Sequence, residues 1–99
     1  MIDRWENGVA TSIKSIDLNA ATYQDGTRLT YRLNDYITKV ATYEGGKMGA
    51  LEINGSDITG RVLSIAIPKG SMTAVQRAAI DAARTRARGL GVEVKVTEF

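Results

Sequence analysis

The sequence predicts a mixed α/β (α+β) domain, a mixed β-sheet flanked by two helices, with elements in the order β-β-α-β-β-α-β. Three observations carry this. Residues 9–18 are dense in β-branched side chains and are bounded by Asn7-Gly8 and Asn19, which is strand chemistry opened by a tight turn. Leu29, Leu33, Tyr36, Ile37 and Val40 recur at helical spacing. Residues 92–99 alternate between apolar and charged or polar side chains, as a strand with one buried face does. Ninety-nine residues suit one small domain over 1–99, either whole or a fragment of a longer one.

Residues 2–5 read as the first strand, turned by Asn7-Gly8 into antiparallel pairing with 9–18. Asp3 then lies across from the central part of the second strand. In that strand Ala10, Ser12, Lys14, Ile16 and Leu18 share one face; Val9, Thr11, Ile13, Ser15 and Asp17 take the other. Both faces carry apolar residues, which predicts a strand covered on both sides. Lys14 is the anomaly, because burying an ammonium costs on the order of several kcal/mol unless it is paired or opens onto a cleft. Either it snorkels off a short edge, or it points into a polar site beside Ser12.

Gln24-Asp25-Gly26 ends the next connector, and an amphipathic helix follows over about residues 27–43, stopped by Gly45-Gly46. Arg28, Arg32, Asp35 and Lys39 sit on its opposite, solvated side. Residues 48–53 are a short, weak strand, and Asn54-Gly55-Ser56-Asp57 is turn chemistry. Residues 61–67 are a buried strand ended by Pro68 and Gly70, so 48–67 reads as a hairpin with a long loop. Thr73 and Gln76 have the spacing of a capping box. The helix they open runs to about Gly89, with Ala79, Ile80, Ala83, Ala87 and Leu90 inward. Its outward face carries Arg77, Arg84 and Arg88; such a stripe either tracks phosphates or is simply solvated.

Thirteen basic against eleven acidic residues leave a net charge of +2, compatible with an anionic partner without demanding one. No run approaches the length of a membrane span, and the N-terminus lacks a signal-peptide layout, so no membrane partner is expected. Two absences are sharper. Without cysteine there is no disulfide, thiolate zinc site or thiol nucleophile; without histidine there is no imidazole base and no Ser-His triad. Catalysis here has to use carboxylates and lysine, with or without a metal.

Asp3 on one strand, then Ser12-Ile13-Lys14 on the next, then a helix, resembles the core of the PD-(D/E)XK nucleases, with serine where that family usually has an acid. The longer run of residues 8–18, with 67–73 and Gly91-Val92, is similar to one branch: the C-terminal DNase domain of contact-dependent growth inhibition toxins, described as zinc-dependent. The likeness covers nearly the whole chain. It implies a nuclease-like core that lacks or truncates the first helix and strand. The acidic residue of that helix has no counterpart, and Glu6, in a turn, replaces it poorly.

The resemblance assigns catalysis to Asp3, Ser12 and Lys14, and metal binding to Asp3 and Ser12. A carboxylate-held metal lowers the pKa of a bound water and neutralises phosphate charge, and a nearby lysine stabilises the charge that develops. Zn2+ is implied by the resemblance alone; an oxygen-only donor set suits Mg2+ better. Gln76, Arg77, Arg84 and Arg88 are the candidate substrate contacts. The function implied is a metal-dependent DNA endonuclease toxin, the C-terminal part of a secreted or cell-surface bacterial effector acting in the target-cell cytoplasm. Its implied partners are DNA and a cognate immunity protein; the oligomeric state is open. Met48, Gly49, Ala50, Leu51, Glu52 and Ile53 are the candidate contact for that protein, by strand augmentation. A tRNA-cleaving nuclease and a non-catalytic nucleic-acid or partner-binding module are the alternatives.

Overall fold

The computed structural model describes residues 2–48, 51–70 and 72–99. In chain order the elements are β1 (Arg4–Glu6), β2 (Val9–Ser15), α1 (Gly26–Ala41), β3 (Gly45–Met48), β4 (Leu51–Asn54), β5 (Gly60–Ile67), α2 (Ala74–Gly89) and β6 (Val92–Glu98). A mixed four-stranded sheet has the order β1-β2-β5-β6, and β3 and β4 form a separate antiparallel pair. The Asn7-Gly8 turn has φ of 53° and 82°, the two positive values a two-residue hairpin requires, and it pairs β1 antiparallel to β2. β2 and β5 are parallel, as are β5 and β6, so α1 with the β3–β4 pair makes one crossover and α2 the other.

The parallel register decides which side chains the helices cover. Ser12 lies beside Leu63 and Val94, and Lys14 beside Ile65 and Val96. With Ile16, Ile67 and Val92 this face carries the core, packed against Leu29, Leu33, Ile37 and Val40 of α1 and Ala79, Ile80, Ala83 and Ala87 of α2. The alanines leave room for α2 to lie close against the sheet and α1. Serine and lysine therefore point to the same side as the helices, in the row that is otherwise aliphatic.

Three polar ties fix the crossovers. Gln76 is 0% exposed. Its amide nitrogen donates to the Leu18 and Tyr23 carbonyls at 2.8 Å each, and its amide oxygen accepts from the Thr73 amide at 3.0 Å. Thr73 in turn accepts from the Gln76 backbone, completing the capping box that the sequence predicts. Arg61, at the start of β5, donates to the Val40 and Tyr43 carbonyls at 3.1 and 2.7 Å, satisfying groups at the C-terminal end of α1. Gly8 packs so closely on the Thr59 side chain that a Cβ would clash, and its carbonyl accepts from the Thr59 amide at 2.8 Å.

The structure has the α+β class and both helices that the sequence predicts, and it departs in four places. Residues 48–67 are not one hairpin. β3 and β4 pair with each other, and β5 lies in the interior of the main sheet. What reads as a single weak strand thus falls on two, so six strands are described rather than five. The face of β2 opposite the helices lacks the expected cover: Ile13 on it is 42% exposed. β2 ends at Ser15, although Ile16 and Leu18 remain buried. Leu90 is exposed because α2 ends at Gly89 and the chain turns away. Among the described residues no helix is long and apolar enough to cross a membrane.

Two substitutions test the ties. Gln76→Leu keeps much of the volume but strips the Tyr23 carbonyl and Thr73 amide of a partner. It is expected to lower stability by about 2 kcal/mol. Arg61→Ala removes two bonds to helix carbonyls and is expected to cost about 1 kcal/mol. Urea denaturation of each variant against the wild type reads both.

Candidate functional site

β1 stops after three residues, and this early stop shapes the region around Lys14. Beyond Thr11 the outer edge of β2 has no strand beside it among the described residues. Asp3, just ahead of β1, donates its amide to the Thr11 carbonyl at 2.9 Å and turns its carboxylate onto that edge. Its Oδ2 accepts from the Ile13 amide at 2.7 Å, taking the first backbone donor that β1 leaves unpaired. Asp3 is exposed, and among the described residues its other carboxylate oxygen has no partner.

Ser12 and Lys14 share the helix-facing side of β2 and differ in surroundings. Ser12 is 1% exposed, and its Oγ has no hydrogen-bond partner. A buried hydroxyl without a partner is uncommon, because losing its water costs about 1–3 kcal/mol. Lys14 is half-buried and runs past the ring of Tyr36 on α1, its Nζ 5.5 Å from the ring centroid. That position combines the two readings of the lysine: the stem packs on the core while the ammonium rides on an aromatic face at the unpaired edge.

Arg32, one turn earlier on α1, approaches the same ring, with Cζ 5.8 Å from the centroid. Its guanidinium is held above its usual pKa, first by a side-chain hydrogen bond with Tyr23 and then by the charges of Tyr23 and Tyr36. Lys39 pairs with Asp35 at 3.2 Å. This pair and the exposed Arg28 fit a plain solvated face; Arg32 does not. The sequence does carry the signal for the cluster: Tyr36 lies four residues after Arg32, within reach on one helix face. Tyr36 reads first as part of the apolar stripe, which hides its second role.

The other candidates fall elsewhere. Arg84 and Arg88 line an open groove along β6 together with Arg61, Glu93 and Lys95; Asp3, Ser12 and Lys14 do not line it. Arg77 is exposed on α2 outside that groove. Gln76 is corrected as a substrate contact: it is fully buried and its amide is committed to three hydrogen bonds within the chain. In the β3–β4 pair Glu52 is exposed and Ile53 is buried, so Ile53 has no side-chain surface to offer a partner. Gly49 and Ala50 lie outside the described residues.

Among the described residues no three of His, Cys, Asp and Glu gather as a metal cluster. The donors at hand are the free oxygen of Asp3 and the orphaned hydroxyl of Ser12, both hard oxygen ligands. As donor types they suit an oxygen-preferring divalent cation, and neither is a nitrogen or sulfur ligand of the kind zinc favours.

Comparison with solved structures finds a likeness to a CdiA-CT/CdiI toxin and immunity complex from Yersinia pseudotuberculosis. The TM-score is 0.78 at 24% identity, over 99% of this chain and 78% of that one. The likeness is one of fold. No curated protein matches the chain. The family described as CDI toxin restriction endonuclease-like domain matches residues 1–97. With a match over almost its whole length, the chain belongs to the CDI toxin restriction endonuclease-like domain family.

Proposed function

We propose that this domain is a metal-dependent endonuclease that cuts DNA, working as the toxic part of a contact-dependent effector in the cytoplasm of a target cell. The observation that carries this reading is the placement of Lys14 and the orphaned Ser12 hydroxyl on one face of β2, next to the Asp3 carboxylate, in a member of a restriction endonuclease-like family. Asp3 and Ser12 would hold the divalent ion. Such an ion lowers the pKa of water and neutralises phosphate charge when bound. Lys14 stabilises the negative charge that builds on the phosphoryl oxygens during attack. The Ile13 amide fixes the Asp3 carboxylate against the sheet, so one of its oxygens stays directed outward.

One observation favours a second reading, a nucleic-acid-binding module without catalysis. The described residues supply two oxygen donors and no acidic cluster, whereas Arg84, Arg88 and Lys95 share a ready-made basic groove. Such a module binds without metal and loses affinity steeply with salt.

Plasmid incubated with protein, with Mg2+ or Zn2+ added to an EDTA-treated sample, separates the readings; a transfer RNA substrate run alongside tests RNA against DNA. Cleavage of the plasmid that returns only with metal is the expected result. Metal-independent binding with no cleavage of either nucleic acid refutes the nuclease reading in favour of the module. Lys14→Ala is expected to slow cleavage by at least about 100-fold. Its urea midpoint is expected to stay close to that of the wild type. A variant as active as the wild type removes Lys14 from the site.

The immunity protein is proposed as the physiological partner, in line with the toxin and immunity complex that the fold resembles. Among the described residues β3 and β4 pair only with each other, so each has an outer edge on which a partner strand can add. Met48, Leu51, Glu52 and Ile53 would contribute backbone groups rather than side chains. Hydrogen exchange on the complex is expected to slow at the amides of β3 and β4. Unchanged exchange there, with protection around Lys14, places the inhibitor over the candidate site instead.

A further inference from the structure

Lys14 and Arg32 bring two positive charges to one aromatic ring. Their charged ends lie 5.5 and 5.8 Å from the Tyr36 centroid, one reaching it from β2 and the other from α1. Neither has an ion-pair partner among the described residues; the carboxylate on this stretch of α1, Asp35, is engaged by Lys39. Two cations gathered at a ring repel each other, and the ring's negative face offsets only part of that. An anion bound within reach of these charges lowers that cost. Arg32 is itself exposed, so its donors can reach a ligand.

We propose that Lys14 and Arg32 form a phosphodiester-binding site over Tyr36, in which Arg32 contacts the substrate backbone and Tyr36 is the positioning residue for both cations. The identity of the anion rests on the nuclease reading; the site itself rests on the geometry of the three side chains. A guanidinium matches two phosphate oxygens at once, whereas an ammonium acts as a point charge. The division of labour follows: Arg32 orients the phosphodiester, and Lys14 faces the charge that develops on it.

The test measures binding and cleavage separately. In EDTA, a 12-base-pair duplex and inorganic phosphate are titrated in separate arms while the Arg32 Nε signal is followed by NMR. The duplex is expected to shift that signal to saturation, and inorganic phosphate is expected to bind at least tenfold more weakly. Arg32→Ala is expected to weaken duplex binding about fivefold at low salt. It should also lower the slope of log affinity against log salt by about 0.9, the loss of one phosphate contact. Arg32→Lys should keep the salt slope and recover only part of the affinity. Tyr36→Phe, which keeps the ring, should bind like the wild type. Tyr36→Leu should bind as weakly as Arg32→Ala at an unchanged circular dichroism spectrum. In cleavage assays Arg32→Ala should raise KM more than it lowers kcat.

An unshifted Arg32 signal, or an affinity and salt slope that Arg32→Ala leaves unchanged, overturns the proposal even if plasmid is cut. Phosphate binding as tight as the duplex overturns the phosphodiester assignment. A duplex bound as expected by a protein that cuts nothing supports the site and defeats the nuclease reading alone.

Discussion

Two crossovers have to lie on the same face of one sheet, and the carboxamide of Gln76 is where they are joined. One end of this side chain closes the cap of α2; the other holds carbonyls from the segment that leads into α1. Gln24 donates to the Leu18 carbonyl as well, at 2.9 Å, so the connector before α1 is tied from both sides. A buried amide with every bond made specifies one arrangement of the groups around it, because any shift leaves a polar group without water or partner. That requirement fixes α1 relative to α2. It thereby fixes which side chains of α1, Tyr36 and Arg32 among them, stand over β2.

The unpaired half of β2 follows from a different economy of backbone. β1 is only three residues long, and the sheet edge it leaves bare begins where the strand carries Ser12, Ile13 and Lys14. A longer β1 would bury this edge and leave a lysine no outlet. A shorter one would leave Asp3 unplaced. The carboxylate that serves the Ile13 amide is therefore structural, and in the proposed nuclease it would act through its second oxygen as well. This is how a site can be built with few residues: backbone donors that the fold leaves open do the orienting that further side chains would otherwise do.

Much of this was legible in the sequence where one local rule decides the outcome. Asn7-Gly8 dictates the hairpin, Thr73 and Gln76 the start of α2, and strand alternation the shared face of Ser12 and Lys14. The rest depended on partners distant in sequence. The Gln76 side chain reaches carbonyls more than fifty positions earlier, which capping-box spacing cannot reveal. Arg61 reads as the first residue of a buried strand, yet its guanidinium belongs to the end of α1. The β3–β4 pair escapes the sequence reading because Gly45-Gly46 reads as a helix stop, whereas α1 already ends at Ala41 and the two glycines open β3. Composition alone hides the Tyr36 cluster, since an aromatic on an apolar stripe looks the same with or without two cations on its ring.

The parallel pairing of β2 with β5 joins residues about fifty positions apart, such as Val9 and Gly60. β1 with β2, and β5 with α2 and β6, are by contrast assembled from neighbours in the chain. Loop-closure entropy makes such local pieces the first to form and the central seam the last. The Ser12–Lys14 strand lies on one side of that seam, while α1, which carries Tyr36 and Arg32, lies within the loop it closes. Asp3, Ser12 and Lys14 therefore already lie together on the early β1–β2 hairpin, and Tyr36 and Arg32 join them only as the seam closes.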